Sequence, residues 1–232
     1  MIAQRTSRLS LSAATISLAL AVSFPVLCGA QASTPGSSRA RTMARTDQTS
    51  NGKMEKKVRI EKFDPTKPTE TRWTLVSVDN APPSATDLNA FRKDAVTRNV
   101  PGYHRLAKYF GSPATASSNA LGRAVFHFAA LPKSSVITLD TDVSQNATAD
   151  ATVSEANGVP FVEQVHITVK PMRIKLLMKL DSFESTSRYR IGPEGKPLMV
   201  EQTSDLSGSG LGQTGGAHSV VTYNDYRAVG KR

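Results

Sequence analysis

Four histidines give the chain its widest range of side-chain chemistry, because imidazole can bind a metal ion or transfer a proton near neutral pH. They are His104, His127, His166 and His218. Their spacing does not match a His-Glu-x-x-His motif or another pair of metal ligands on one element. His127 and His166 fall in the middle of predicted strands, where a sheet could bring them together. We interpret this pair as solvated or hydrogen-bonded strand residues, and we expect no metal site.

Oxygen-bearing side chains recur at alternate positions of residues 140–146 (Asp-Thr-Asp-Val-Ser-Gln-Asn), as they do in calcium-binding loops. The EF-hand pattern requires Gly at its sixth position and Glu at its twelfth. Those two positions hold Gln145 and Ala151. The sequence therefore favours an ordinary polar loop over a calcium site.

Nucleophilic and phosphate-binding motifs are absent from the sequence. Residues 207–216 are rich in Ser and Gly but form neither Gly-x-Ser-x-Gly nor a loop ending in Gly-Lys-Ser/Thr. Their composition predicts a mobile connection. The carboxylate pairs Asp181 with Glu184 and Glu201 with Asp205 are spaced for opposite or shifting strand faces. We expect no catalytic residue, no cofactor and no enzymatic activity.

The first 32 residues have the composition of a secretory signal peptide. Arg5 and Arg8 precede the apolar segment 9–27, and Ala30-Gln-Ala32 provides a cleavage site. Cys28, the only cysteine, lies in this segment, so cleavage leaves a chain without thiols or disulfides. We expect a periplasmic or secreted protein, with lipid anchoring through Cys28 as the alternative.

The charge of the chain is strongly basic. Removing the two signal-peptide arginines lowers the formal net charge from +10 to +8. Basic residues concentrate in segments 39–62 and 72–108. No nucleic-acid-binding motif accompanies them, and stacking aromatic residues are few. We therefore expect no nucleic acid partner and interpret the charge as a solvated basic exterior, with binding to an anionic membrane or an anionic envelope polymer as the alternative.

Composition divides the remaining chain into two parts. Residues 33–57 contain Ser, Thr, Gly, Gln and Arg with almost no large apolar side chain, and this predicts a disordered basic linker. Residues 58–232 form one mainly β domain. Ser84 and Asp87 predict the capped start of a helix over 85–98, and a second short helix is expected over 103–110.

The C-terminal part of this domain carries the clearest strand pattern. Alternating apolar and polar residues predict long strands over 160–170, 173–191, 196–206 and 217–229. One apolar face on the first two strands is interpreted as part of a filled core, and the alternative is that the helices cover it only in part and leave a cavity for an acyl chain. The candidate ligand-binding residues are Val165, Ile167, Val169, Leu176, Met178 and Leu180.

Two segments carry a resemblance to a known family. Residues 170–180 (Lys-Pro-Met-Arg-Ile-Lys-Leu-Leu-Met-Lys-Leu) precede the strand, turn and strand of 188–201 (Arg-Tyr-Arg-Ile-Gly-Pro-Glu-Gly-Lys-Pro-Leu-Met-Val-Glu). This layout, over residues 120–229, resembles the half-barrel of the LolA/LolB-like periplasmic lipoprotein carriers and uncharacterised secreted proteins of Gram-negative bacteria. The resemblance implies a curved sheet around a lipid cavity, with lipid or lipidated protein as partner.

These observations predict an α+β, mainly β fold with a curved, half-barrel-like antiparallel sheet and two short N-terminal helices. The expected function is non-catalytic binding of a lipid or another apolar envelope ligand after export. The alternative is a structural or interaction protein of the envelope that meets anionic partners with a basic surface.

Overall fold

The structure, a computed structural model, describes residues 41–51, 56–98, 100–111, 113–176, 178–210 and 213–229. Its strands are β1 (Arg41–Asn51), β2 (Lys56–Phe63), β3 (Trp73–Val78), β4 (Ala114–Ser118), β5 (Ala124–Phe128), β6 (Ile137–Thr138), β7 (Thr141–Asp142), β8 (Ala147–Ala156), β9 (Val159–Val169), β10 (Met172–Lys175), β11 (Met178–Ile191), β12 (Pro197–Gly210) and β13 (Gln213–Ala228). The helices are α1 (Ala85–Thr97) and two 3-10 helices, Tyr103–Lys108 and Ser144–Asn146.

One antiparallel sheet organises the domain. Its strand order is β3-β2-β1-β13-β12-β11-β9-β8-β5-β4, with β10 beside β11, and β6 pairs with β7 separately. The sheet is curved and does not close, so β3 and β4 are its outer strands. The predicted fold class, mainly β with a half-barrel-like sheet and two short helices, is confirmed.

The two faces of the sheet differ in polarity, as expected for an antiparallel sheet with one solvated face. In β9, Val165, Ile167 and Val169 are buried, while His166 and Thr168 between them are partly exposed. We call the face that carries these apolar residues the inner face and the opposite one the outer face. The alternation in the sequence therefore corresponds to the two faces of β9.

Both N-terminal helices pack against the inner face. Ser84 caps α1, because its side chain accepts a hydrogen bond from the Asp87 amide and the Asp87 carboxylate accepts one from Ser84, as predicted. Phe91 and Ala95 are the buried residues of α1. The second helix is 3-10 and shorter than expected, and the Tyr103 hydroxyl accepts a 2.8 Å hydrogen bond from the Val162 amide.

One hydrophobic core joins the sheet and the helices. Small side chains on β8 make room for larger ones on β9, since Ala149 pairs with Ile167 and Ala151 with Val165. At the other side of the sheet, the Phe63 and Trp73 rings lie 4.8 Å apart. Continuous burial across these strands stabilises the domain without disulfides.

The segment predicted to be a disordered linker, 33–57, differs from the structure over part of its length. Residues 41–51 form β1, which pairs with β13 on one side and β2 on the other. Backbone hydrogen bonds on both sides hold this polar strand, and they do not depend on apolar side chains. Residues 33–40 and 52–55 lie outside the described residues.

The signal-peptide prediction also falls outside the structure. Residues 1–32, including Cys28, are not among the described residues. Of the helices that the structure does describe, none is long and apolar enough to cross a lipid bilayer.

Two features of the long C-terminal strands differ from the sequence prediction. The predicted strand 173–191 is a hairpin, in which β10 ends at Lys175 and β11 begins at Met178. The Gly-rich segment 207–216, predicted to be a mobile connection, mostly continues β12 and β13 as a paired ladder. The β11–β12 register shifts between Leu180 and Ser182, which marks a local irregularity at Asp181.

Candidate functional site

The predicted lining residues of β9 lie in the filled core. Val165, Ile167 and Val169 have exposed fractions of 2%, 7% and 2%. They face the inner side of the sheet, beside the alanines of β8 and beneath the helices. These three side chains therefore stabilise the fold directly.

The other three candidates, Leu176, Met178 and Leu180, lie in the β10–β11 hairpin and differ from one another in exposure. Leu180 is 0% exposed, whereas Leu176 is 84% and Met178 42% exposed. Met172 pairs with Leu180 and Lys175 with Met178, which places the end of the hairpin between Lys175 and Met178. The six predicted residues thus do not form one lining: four are core residues, and Leu176 and Met178 lie at the end of a hairpin.

Polar side chains occupy the inner face where β11, β12 and β13 cross the middle of the sheet. The Ser185 hydroxyl donates to the Thr203 carbonyl at 3.1 Å, lies 3.2 Å from the Ser204 hydroxyl and accepts from the Gln202 amide at 3.4 Å. This hydrogen-bonded group lies beside Ile167 of β9, because Ser185 and Ile167 are cross-strand partners. The inner face is therefore not a continuous apolar surface.

The hairpin end gathers apolar and cationic side chains on the surface. We call Arg173, Leu176, Met178 and Lys179 the hairpin tip. Together with the facing ends of β12 and β13, they border an open cleft, whose other lining residues are Ser209, Gly210, Gln213 and Thr214. Leu177, Leu211 and Gly212 lie outside the described residues.

Close approach of the strands explains one of the glycines at this cleft. A Cβ atom on Gly208 would come within 2.9 Å of the Lys179 carbonyl oxygen, a distance that requires the backbone to move. Gly208 pairs with Leu180 in β11 and with Gly215 in β13. Glycine at position 208 therefore permits the ladder that supports the hairpin tip.

Like charges face each other across the hairpin. Arg173 pairs directly with Lys179, a cross-strand arrangement that is unfavourable between two cations. The Lys179 ammonium is 2.9 Å from an Asp181 carboxylate oxygen. Hydrogen bonds from the side chains of Lys179 and Ser209 lower the pKa of Asp181, so this carboxylate stays charged. Among the described residues, Arg173 has no carboxylate partner.

The histidines lie on other surfaces. On the outer face, His127 is 2.7 Å from Asp150, His218 is 2.6 Å from Asp205, and His166 is 3.0 Å from the Thr186 hydroxyl. These groups are cross-strand neighbours on the solvated side of the sheet. Within the described ranges, no three His, Cys, Asp or Glu residues are grouped so that they could hold a metal ion.

The helix histidine and the oxygen-rich loop are also accounted for by local contacts. Burial, followed by the charges of Arg105 and Lys108, lowers the pKa of His104. In the loop, Asp142 accepts hydrogen bonds from Ser144 and from the Ser134 amide, and these lower its pKa. The Asp142 oxygens thus hold the loop backbone in place.

The hairpin tip is the feature that sequence reasoning missed. The alternation over 173–180 predicts one strand with Arg173 and Lys179 opposite the apolar residues. The sequence between Lys175 and Met178 contains no Gly, Pro, Asn or Asp, so the usual turn-forming residues are absent. The one available signal was Pro171, which marks the break between β9 and β10.

Fold and surface together define the described chain as a mainly β domain built on one open antiparallel sheet, with a basic and apolar hairpin tip. Comparison with protein-family models, with curated proteins and with solved structures gave no match to the chain.

Proposed function

We propose that this protein is an exported, non-catalytic binding protein that meets an anionic partner of the cell envelope with its hairpin tip. The observation that carries the proposal is the cross-strand pair of cations, Arg173 and Lys179, at an exposed cleft. An anion bound beside this pair gains an attractive contact with Arg173, and a second with Lys179, where it competes with the Asp181 carboxylate that lies 2.9 Å from the Lys179 ammonium. This arrangement favours negatively charged partners over neutral ones.

The surrounding sequence supports the same partner class. Residues 170–179 contain Lys170, Arg173, Lys175 and Lys179 and no acidic residue. The planar guanidinium of an arginine can bind phosphate or carboxylate with two parallel hydrogen bonds. The formal net charge of the exported chain, +10 less the two signal-peptide arginines and thus +8, adds long-range attraction that accelerates encounter with an anionic surface.

Charge-neutral substitutions test the proposal. In the double variant Arg173→Gln, Lys179→Gln, we expect affinity for dextran sulfate, a soluble anionic polymer, to fall about 10-fold at low salt. The loss of two cationic contacts, each contributing up to about 1 kcal/mol, is the reason. Isothermal titration calorimetry at two salt concentrations measures the effect, and weaker binding at higher salt is expected for all variants.

The matched control is Arg92→Gln, Lys93→Gln, which removes the same charge from two exposed positions of α1. If the site is the hairpin tip, this variant keeps most of its affinity. Equal losses in both double variants would show that only net charge matters. An unmodified protein that binds no anionic probe at low salt would refute the proposed function.

A second candidate is binding of an acyl ligand on the inner face, as the carrier resemblance suggests. The observation that favours it is the directly paired Phe183 and Leu206, both partly exposed and packed against the core. Such a ligand would remain associated in native mass spectrometry and raise the unfolding temperature when added back. Recovery of ligand-free protein, with no thermal shift on addition of lipids, would argue against this candidate.

A further inference from the structure

Leu176 is the most exposed large apolar side chain of the described residues, at 84%, and Met178 follows it in the same hairpin at 42%. Exposure of both next to a turn leaves apolar area in water that the fold could have buried elsewhere. Grouped exposed apolar side chains, unlike isolated ones, often mark a surface that contacts an apolar phase.

The cations of the hairpin surround these apolar residues at a defined distance. Arg173 precedes Leu176 by three positions and Lys179 follows it by three. With about 3.3 Å of rise per residue, the charged groups lie roughly 10 Å or less behind the end of the hairpin. Interfacial protein segments bury their apolar side to about 5–10 Å, with cations at the level of the lipid headgroups. The distance from the cations to the end of the hairpin therefore matches the depth to which interfacial segments insert.

From this arrangement we infer that the anionic partner is a lipid bilayer, into which Leu176 and Met178 insert while Arg173 and Lys179 contact the headgroups. The inference rests on the proposed function and names its partner. An anionic polysaccharide would satisfy the cations but offers no apolar interior to Leu176 and Met178. An anionic bilayer provides both, and charge complementarity selects it over a neutral bilayer.

The hairpin is suited to shallow insertion and not to spanning the membrane. β10 contains four residues, which is shorter than a membrane-crossing strand of about 9–11 residues. Its backbone remains paired with β11, and β11 is paired along its length with β12. Pairing with β11 satisfies one side of the β10 backbone. The other side pairs with no strand among the described residues, and at the shallow depth of the interface it can bond to water and lipid headgroups.

The test compares vesicles with a soluble polymer. The exported chain is mixed with vesicles of phosphatidylglycerol and phosphatidylethanolamine, with vesicles of phosphatidylcholine alone, and with dextran sulfate. The variant Leu176→Ser, Met178→Ser should bind the anionic vesicles at least 10-fold more weakly, because each inserted side chain contributes roughly that factor. Its affinity for dextran sulfate should equal that of the unmodified protein.

The control for the apolar change is Ile137→Ser. Ile137 is 64% exposed, but it lies in the small β6–β7 hairpin opposite the acidic Asp142. This variant should bind anionic vesicles as the unmodified protein does, and phosphatidylcholine vesicles should bind all forms weakly. Circular dichroism and thermal unfolding establish that each variant is folded.

Two other outcomes overturn the inference in distinguishable ways. Unchanged vesicle binding by Leu176→Ser, Met178→Ser, with binding lost in Arg173→Gln, Lys179→Gln, would reject insertion and leave the proposed function standing. Binding of the unmodified protein to neither vesicles nor polymer would reject both together.

Discussion

Arg98 links three elements of the domain through one side chain. Its Nη1 atom donates a 2.5 Å hydrogen bond to the fully buried Glu61 of β2. Its guanidinium lies 5.5 Å from the ring centre of Trp73 and 5.3 Å from that of Phe91. An arginine between two aromatic rings and a buried carboxylate gains cation–π attraction and offsets the desolvation of the carboxylate.

Removal of this side chain should be costly. In Arg98→Ala we expect the free energy of unfolding to fall by about 3 kcal/mol, because Glu61 loses an ion-pair partner in a buried position. Urea denaturation followed by the fluorescence of Trp73, the only tryptophan, measures the change. Arg92→Ala, at an exposed position of α1, is the control and should cost less than about 0.5 kcal/mol. Similar losses in both variants would contradict the role of Arg98.

The start of α1 makes folding stability depend on pH. Hydrogen bonds from Ser84, and then from Lys57, lower the pKa of Asp87 from 3.8 to about 2. A carboxyl with a lower pKa in the folded state stabilises the fold above its unfolded pKa and loses that contribution as pH falls through its folded pKa. The capping box is therefore expected to contribute at neutral pH and to weaken in acid.

Asp87→Asn tests this linkage. We expect a lower unfolding temperature than that of the unmodified protein at pH 7, and a difference that narrows as pH falls from about 4 to about 2. Differential scanning calorimetry across this range measures it. Asp94→Asn removes the same charge from an exposed position of α1 outside the cap and serves as control. A temperature difference that stays constant down to pH 2 would contradict the linkage.

The ladder beneath the hairpin tip offers a matched pair of glycines. Gly208 and Gly215 are cross-strand partners, but a Cβ atom would meet the Lys179 carbonyl only from Gly208, and would meet nothing within 4 Å from Gly215. We expect Gly208→Ala to lower the free energy of unfolding by about 1–3 kcal/mol and Gly215→Ala to change it by less than about 0.5 kcal/mol. Chemical denaturation of both variants compares them. Equal tolerance at both positions would show that the strands do not approach closely there.

Elements with a side-chain signature were predictable from the sequence. Ser84 and Asp87 marked the start of α1, the turn over 192–195 separated β11 from β12, and alternation identified β9. The missed elements lack such a signature. β1 has Met43 as its single large apolar residue and is held by backbone pairing on both sides, and the turn at Leu176 has no turn-forming residue.

The absence of turn-forming residues also explains why the predicted lining residues and the hairpin tip are different sets of residues. Apolar alternation identifies side chains that are favourable to bury. It does not distinguish burial in the protein's own core from burial against a binding partner. Val165 and Leu176 belong to the same predicted stripe, yet one is 2% and the other 84% exposed. This difference in exposure arises because the chain turns after Lys175, and the residue types there do not predict a turn.

Across the described part of the domain, the two sheet faces and the hairpin tip differ in the side chains that they carry. The inner face is occupied by the core and a hydrogen-bonded polar group, and the outer face carries paired His, Asp and Thr residues. Apolar and cationic exposure coincide at the hairpin tip. The proposed function therefore depends on the hairpin tip being the surface that contacts the anionic partner.

A fluorescent label beside the hairpin tip tests this dependence directly. After export the predicted chain has no cysteine, so Gln213→Cys, at the cleft, and Ile137→Cys, in the β6–β7 hairpin, each give a single labelling position. With anionic vesicles, the emission of an environment-sensitive dye at position 213 should shift to shorter wavelength, while the dye at position 137 should not change. A shift at position 137 without one at position 213 would contradict the account.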